Sequence, residues 1–167
     1  MKINFYKILI RSPLLLIAPE IVWKIADLAL TQKWFWSFIS KIFIYSHPKL
    51  NTNFAGIELD SPVGLAAGYD KNCKYLSSLE TFGFGYLIGG TVTFDPRPGN
   101  PKPRMIRIPK EKALVNSLGF PGKGLNAAVK VLNKQKMSQA KRFISVSGTD
   151  ISDIKQCIQQ LEPFVVP

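Results

Sequence analysis

The 167-residue chain holds one histidine, His47, and two cysteines, Cys73 and Cys157. Two cysteines cannot build a disulfide framework, and no CxxC or Cys/His cluster offers zinc its ligands. A single His beside Pro48 leaves no nucleophile–His pair for triad chemistry. The cysteine usage fits a reducing compartment. Acids are scarce as well: 11 Asp and Glu face 22 Lys and Arg, a formal net charge of +11. No stretch reaches about 18 uncharged apolar residues, so no transmembrane helix is expected. A secretory leader fits poorly, because Pro13 and Pro19 bracket the short run Leu14–Ala18 and no A-x-A site follows. Internal repeats and low-complexity tracts are missing too. With 46% apolar residues the chain has ample material for a core, which excludes disorder for most of its length.

What the chain does have begins with its basic excess. A charge of this sign points to nucleic acid, phosphates or an anionic membrane. Its distribution chooses among them. Residues 1–49 carry seven cations against Glu20 and Asp27, together with all three tryptophans, Trp23, Trp34 and Trp36. These rings lie among aliphatics rather than on a polar surface, as base-stacking platforms would. The reading is lipid and no nucleic acid. Pro19-Glu20 marks a helix start, with Pro at the first position and a carboxylate in the first turn. Ile21, Val22, Ile25, Leu28 and Ala29 then share one face, and Trp34, Phe35, Phe38, Ile39, Ile42 and Phe43 repeat the pattern until Pro48 ends it. Two such helices can lie in a bilayer interface with Lys toward anionic lipid. Their faces can equally pack on the rest of the chain.

From residue 50 the texture changes. Phe54–Leu59 reads as a hairpin and Val63–Leu65 as a buried strand. A helix follows over Lys74–Thr81, then a strand Tyr86–Ile88 that Gly89-Gly90-Thr91 terminates. Residues 94–109 form a Pro-rich connection with Met105–Ile108 extended, and Ala113–Val115 leads into the loop Asn116–Pro121. A helix over Gly124–Asn133, a strand Arg142–Val146, a helix Asp150–Leu161 and a strand starting at Phe164–Val166 complete the pass. Short apolar strands alternating with helices predict parallel βαβ units, whose ligands bind in loops at the C-terminal strand ends.

The candidate residues sit in those loops. Ala66-Ala67-Gly68 lets a flat ring or a phosphate approach the backbone, and Asp70 and Lys71 set opposite charges beside it. Thr91 offers a hydroxyl, and Asn116 can donate and accept at once. Long Pro/Gly connections in compact domains usually serve a site. Plain structural roles compete at each position: a tight strand–helix packing point at Ala66–Gly68, a solvated ion pair at Asp70–Lys71, a helix cap at Thr91 and a turn at Asn116.

Taken together, four ordered motifs resemble dihydroorotate dehydrogenase, in its membrane-associated, quinone-reducing class. They are Gly64-Leu-Ala-Ala-Gly-Tyr-Asp-Lys-Asn72, Gly83-Phe-Gly-Tyr-Leu-Ile-Gly-Gly-Thr-Val-Thr93, Pro96-Arg-Pro-Gly-Asn-Pro-Lys-Pro-Arg104 and Val115-Asn-Ser-Leu-Gly-Phe120. The resemblance covers roughly residues 54–132, and the front end with its Pro-Glu helix start is similar as well. It implies an α/β fold, the N-terminal part of a (β/α)8 TIM barrel over residues 49–167, preceded by an amphipathic helical extension over residues 1–48 that forms a quinone tunnel at the membrane. It implies oxidation of dihydroorotate to orotate in pyrimidine synthesis, with FMN as cofactor and quinone as acceptor. Ala67, Gly68, Tyr69, Asp70, Lys71 and Thr91 would contact FMN. Lys71 would also pair with the orotate carboxylate, and Asn116, Ser117, Leu118, Gly119 and Phe120 would hold the pyrimidine. The resemblance places the protein peripherally on the cytoplasmic face of the membrane.

The sequence departs from that pattern in places. Trp23 stands where the extension usually carries His, and Val146 stands where the quinone class offers an FMN-contacting Asn; that strand is more like the soluble classes. A complete barrel needs about 250 residues. The family's Asn-x-Ser-x-Pro-Asn motif, which supplies the catalytic base, falls beyond Pro167. The expectation is therefore a fragment with no catalytic residue of its own, inactive alone. The alternatives are a non-catalytic membrane-associated remnant and a dehydrogenase of this family using another electron acceptor.

Overall fold

The computed structural model describes residues 11–135 and 140–165. Lys2, Lys7 and Val166 lie outside the described residues, as does the side chain of Phe43. In chain order, helix α1 spans Ser12–Leu16, a short turn of helix not expected from the sequence. Helix α2, Pro19–Leu30, starts at the Pro-Glu pair as expected. Helix α3, Lys33–Phe43, stops before Pro48, with Ile44 already extended. Pro48 opens a separate 3-10 turn, where the His47 Nδ1 accepts the Lys49 amide at 3.2 Å. Strands β1 (Thr52–Phe54) and β2 (Ile57–Leu59) pair as an antiparallel hairpin. Its two-residue turn holds Ala55 and Gly56 at φ 51° and 84°, the geometry of a primed turn.

Strand β3 is Gly64–Leu65, and helix α4 runs only over Leu76–Leu79 before a 3-10 turn at Glu80–Phe82. Strand β4 is Tyr86–Val92, β5 Met105–Ile108 and β6 Ala113–Asn116. Helix α5, Leu125–Leu132, strand β7, Lys141–Val146, and helix α6, Ile151–Leu161, follow. The Asp150 carboxylate caps α6 by accepting the Ser152 amide at 2.6 Å, and that bond holds its pKa below the ordinary value. At the end, Glu162–Phe164 is a 3-10 turn opened by Pro163, not the start of a strand.

The chain divides into two compact units. One takes the described residues of Met1–Ala29 with Asn100–Leu118, and the other takes Leu30–Gly99 with the described residues of Gly119–Pro167. Helix α3 belongs with the larger unit. Trp36 rests on Phe82 with ring centroids 4.9 Å apart, and Leu30 is buried in that unit's core.

In the larger unit β3, β4 and β7 form a parallel sheet in that order. Counted with the helices that follow them, they make three βα units, in line with the alternation of the sequence. Successive strand residues point to opposite faces. Leu65, Leu87, Ile144 and Val146 enter a core with Leu76, Leu79, Leu125, Ala128, Leu132 and Leu161 from the helices. Truncating a fully buried Leu such as Leu76 or Leu87 typically costs about 3 kcal/mol. The opposite face carries Tyr86, Ile88, Phe143 and Ser145, half-buried, with Tyr86 and Phe143 edge to face at 6.1 Å. The Tyr86 ring fills the place a side chain at Gly64 would need.

Two polar groups are built into the helix side. Arg142, buried at the start of β7, donates to Glu80 through Nε at 2.6 Å and also through its terminal nitrogen. Gln135 takes a bond from the Ser77 hydroxyl at 3.1 Å and donates to the Cys73 carbonyl. Cys73 and Cys157 are free and fully buried, and burial pushes the Cys73 thiol up to about 12. Cys157 is raised by the same cause.

Strand β4 runs on through Gly89, Gly90 and Thr91, where the sequence reading ended it. Packing requires glycine at both positions, and Gly90 also sits at φ +99°, which disfavours any side chain. A Cβ at Gly89 would press on the Cys73 Sγ, and one at Gly90 would run into the Ser145 carbonyl. Pairing with β7 therefore continues to Val92, with a register irregularity between Gly89 and Val92. Met105–Ile108 is extended as expected, and it pairs with Ala113–Asn116 as an antiparallel ribbon separate from the parallel sheet, a pairing the sequence did not suggest.

Candidate functional site

The loop after β3 carries the first group of candidate residues. Ala66, Ala67 and Gly68 are exposed, Tyr69 and Lys71 are half-buried, and Asp70 is buried at 1% exposure. Gly68 has φ +102°, which disfavours any side chain, and the space beside its Cα is open for 4 Å. The Lys71 amine folds back to donate to the Gly68 carbonyl. A flat, electron-rich group can thus meet bare backbone with a cation at its edge.

Asp70 does something the sequence did not announce. It is buried rather than solvated. Its Oδ1 accepts the Lys74 amide at 2.7 Å and its Oδ2 the Tyr75 amide at 2.6 Å. Those bonds satisfy the amides of the two residues that precede α4. The Asp70 carbonyl accepts from Cys73 and from Gly90, and the Gly68 amide donates to the Gly90 carbonyl at 2.8 Å. The loop is therefore zipped to β4 directly beside Thr91.

Thr91 lies in β4 rather than capping a helix, and its Oγ1 is 2.9 Å from the Ser145 Oγ of β7. Ser145 was not singled out from the sequence. The signal was present: in Ile144-Ser-Val-Ser147 the hydroxyls alternate with core-facing residues, which puts Ser145 on the face away from the helices. Val146, where an Asn was of interest, packs against the core. So Ala67–Lys71, Thr91 and Ser145 are brought together at the C-terminal ends of three adjacent parallel strands, where barrel folds place their ligands. These groups fit a flavin ring by shape, with open backbone, a cation and a hydroxyl pair.

The second group lies mostly in the smaller unit. Asn116 ends β6 and is exposed, as is Ser117, while Leu118 is half-buried. Asn100 holds this stretch: its Nδ2 donates to the Ser117 carbonyl at 2.9 Å and to the Ser117 Oγ at 3.0 Å, and its amide donates to the Leu118 carbonyl at 3.0 Å. Gly119 and Phe120 belong to the larger unit, both at positive φ, 70° and 52°. Phe120 is exposed. Among the described residues no group of His, Cys, Asp and Glu could hold a metal ion.

Comparison with known proteins locates these loops. Residues 49–166 match the family model described as dihydroorotate dehydrogenase. The chain is 42% identical over 123 residues to the dihydroorotate dehydrogenase (quinone) of Polynucleobacter necessarius, covering 72% of this chain and 35% of that protein. With the Sulfurovum protein of the same name it shares 34% over 125 residues, 75% of this chain and 35% of that one. Among solved structures, the crystal structure of the Eimeria tenella enzyme in complex with ferulenol superposes with a TM-score of 0.69 at 26% identity, covering 89% of this chain and 42% of that chain. The chain thus spans about a third of the length of these two curated relatives. The family match takes in the loop after β3, the β4 and β7 strand ends and the Asn116–Phe120 loop, and by it the chain belongs to the dihydroorotate dehydrogenase family.

Proposed function

We propose that the chain forms the flavin-edge and substrate-loop portion of a quinone-linked dihydroorotate dehydrogenase, acting in pyrimidine synthesis. The observation that carries this reading is the Gly68 cradle: a loop with open backbone, zipped to β4 beside Thr91 and carrying Lys71. FMN, when bound, supplies the two-electron acceptor between dihydroorotate and quinone. Ala67, Gly68 and Tyr69 would lie along the flavin, with Thr91 and Ser145 supplying hydroxyls. Asp70 would act by holding the loop's shape, since both its carboxylate oxygens are turned into the following turn. Lys71 would meet the substrate carboxylate, and Asn116, Ser117, Leu118, Gly119 and Phe120 would hold the pyrimidine ring. These are binding roles, and none of them is that of the base.

Two exposed apolar faces support peripheral attachment to a membrane, near the quinone pool. On α2 they are Ile21, Ile25 and Leu28, and on α3 Trp34, Phe38 and Ile42. Lys24 on α2 and Lys33 and Lys41 on α3 suit anionic lipid. Among the described residues no helix is long and apolar enough to cross a membrane.

The test is cofactor content. The native gene product, purified and then denatured, is expected to release FMN. The Gly68→Val variant should lose most of it, because a branched side chain at this φ is strained and projects over the cradle. Release of FAD or of no flavin from the wild-type protein overturns the reading.

A further inference from the structure

In the smaller unit, one unbroken chain of polar contacts runs from helix α2 to the Asn116–Leu118 loop. Glu20, in the first turn of α2, accepts Lys102 Nζ on Oε2 at 2.8 Å and Arg104 Nε on Oε1 at 3.2 Å. Arg104 uses its other arm: Nη1 donates to the Asn100 carbonyl at 3.3 Å. The Arg104 carbonyl accepts the Ser117 amide at 3.0 Å. Asn100 in turn grips Ser117 and Leu118 through its side chain and amide. The Glu20 and Arg104 side chains are only 21% and 13% exposed, so that link is partly sheltered from water, while Asn100 and Ser117 at the far end are exposed.

We propose that Glu20 is a positioning residue for the substrate loop, acting through Arg104 and Asn100, and so couples the helical extension to substrate binding. The inference rests on reading Asn116–Leu118 as that loop. Arginine suits the middle, because its rigid planar fork points separate nitrogens, Nε and Nη1, at the carboxylate and the carbonyl, whereas an ammonium offers a single point on a flexible stem. Glu20 is equally specific. Its negative charge suits the N-terminal end of α2 and answers two cations from the Pro-rich connection. The bond from Lys102, followed by the Coulombic pull of Lys102 and the bond from Arg104, outweighs desolvation and holds the Glu20 carboxyl below its ordinary pKa.

The experiment compares wild type, Glu20→Gln and Arg104→Lys by amide hydrogen exchange and by orotate titration of the native gene product. Glu20→Gln keeps the shape and removes the charge. Arg104→Lys keeps the charge and removes the fork. The proposal expects exchange at the Ser117 and Asn100 amides to speed up by about tenfold in both variants. Orotate should bind about tenfold more weakly, while Leu87 exchange and flavin content stay at wild-type values. Unchanged exchange at both amides in Glu20→Gln overturns the tether. Faster exchange with unchanged orotate affinity overturns the loop's assignment to substrate, and the proposal with it, while leaving the tether itself in place. A parallel change at Leu87 marks a general loss of stability and counts against a positioning role.

Discussion

Lys71→Met is expected to weaken orotate binding by roughly 10- to 100-fold while leaving the fold intact. Lys71 is half-buried at the mouth of the loop, and its amine donates to the Gly68 carbonyl, which orders a long side chain before any ligand arrives. A charge-assisted hydrogen bond to a carboxylate contributes about 1.5–3 kcal/mol, and every 1.4 kcal/mol is about tenfold in affinity. Methionine preserves the stem and removes the charge. Lys71→Arg should not restore affinity, because a planar fork cannot replace a compact point charge folded over a glycine. Titration of the flavin-loaded native gene product with orotate, followed through the flavin absorbance, reads the effect. Wild-type affinity in Lys71→Met would remove this residue from the substrate site.

Asp70→Asn is expected to act on the fold first and on the flavin second. Both oxygens accept main-chain N–H groups, at 2.7 and 2.6 Å, in a site with 1% exposure. Asparagine is nearly isosteric but offers one acceptor and one NH₂ group. One of the Lys74 and Tyr75 amides then faces another donor, unsatisfied and buried, and the remaining bond loses its charge. Together these changes cost about 3 kcal/mol, which for a chain of this size lowers Tm by about 6–12 °C. The carboxylate bonds fix the loop whose main chain is bonded to Gly90, so loosening them should lower flavin affinity along with stability. Thermal unfolding with and without added FMN separates the two effects. A Tm within 2 °C of wild type would mean that the two amides find other partners.

The contrast between these residues shows where sequence reasoning succeeds. The helix starts at Pro19 and Asp150, the Ala55-Gly56 turn and the three parallel strands were legible because each rests on a local signal of period, cap or turn chemistry. The continuation of β4 through Gly89-Gly90-Thr91 was not. Paired glycines read locally as a stop, and their presence inside a strand is explained by the Cys73 sulfur against Gly89 and, at Gly90, by a φ of +99° and the Ser145 carbonyl. The β5–β6 ribbon was hidden for a similar reason, since the pairing partner of a short apolar run is a tertiary fact. At the site, the loop Ala66–Lys71 was identifiable from its motif, but the division of labour inside it was not. Asp70 and Lys71 are neighbours of opposite charge, yet one is turned into the backbone of the next turn and the other folds over Gly68. Ser145 needed the strand's face assignment before its hydroxyl had a meaning.

The central claim is that these loops serve a flavin reduced by dihydroorotate and reoxidised by quinone. The most direct measurement is anaerobic addition of dihydroorotate to the flavin-loaded native gene product, followed by a water-soluble ubiquinone analogue. The account predicts loss of the visible flavin absorbance on the first addition and its return on the second. A flavin that stays oxidised with dihydroorotate, or that returns only with NAD⁺ or fumarate, contradicts it.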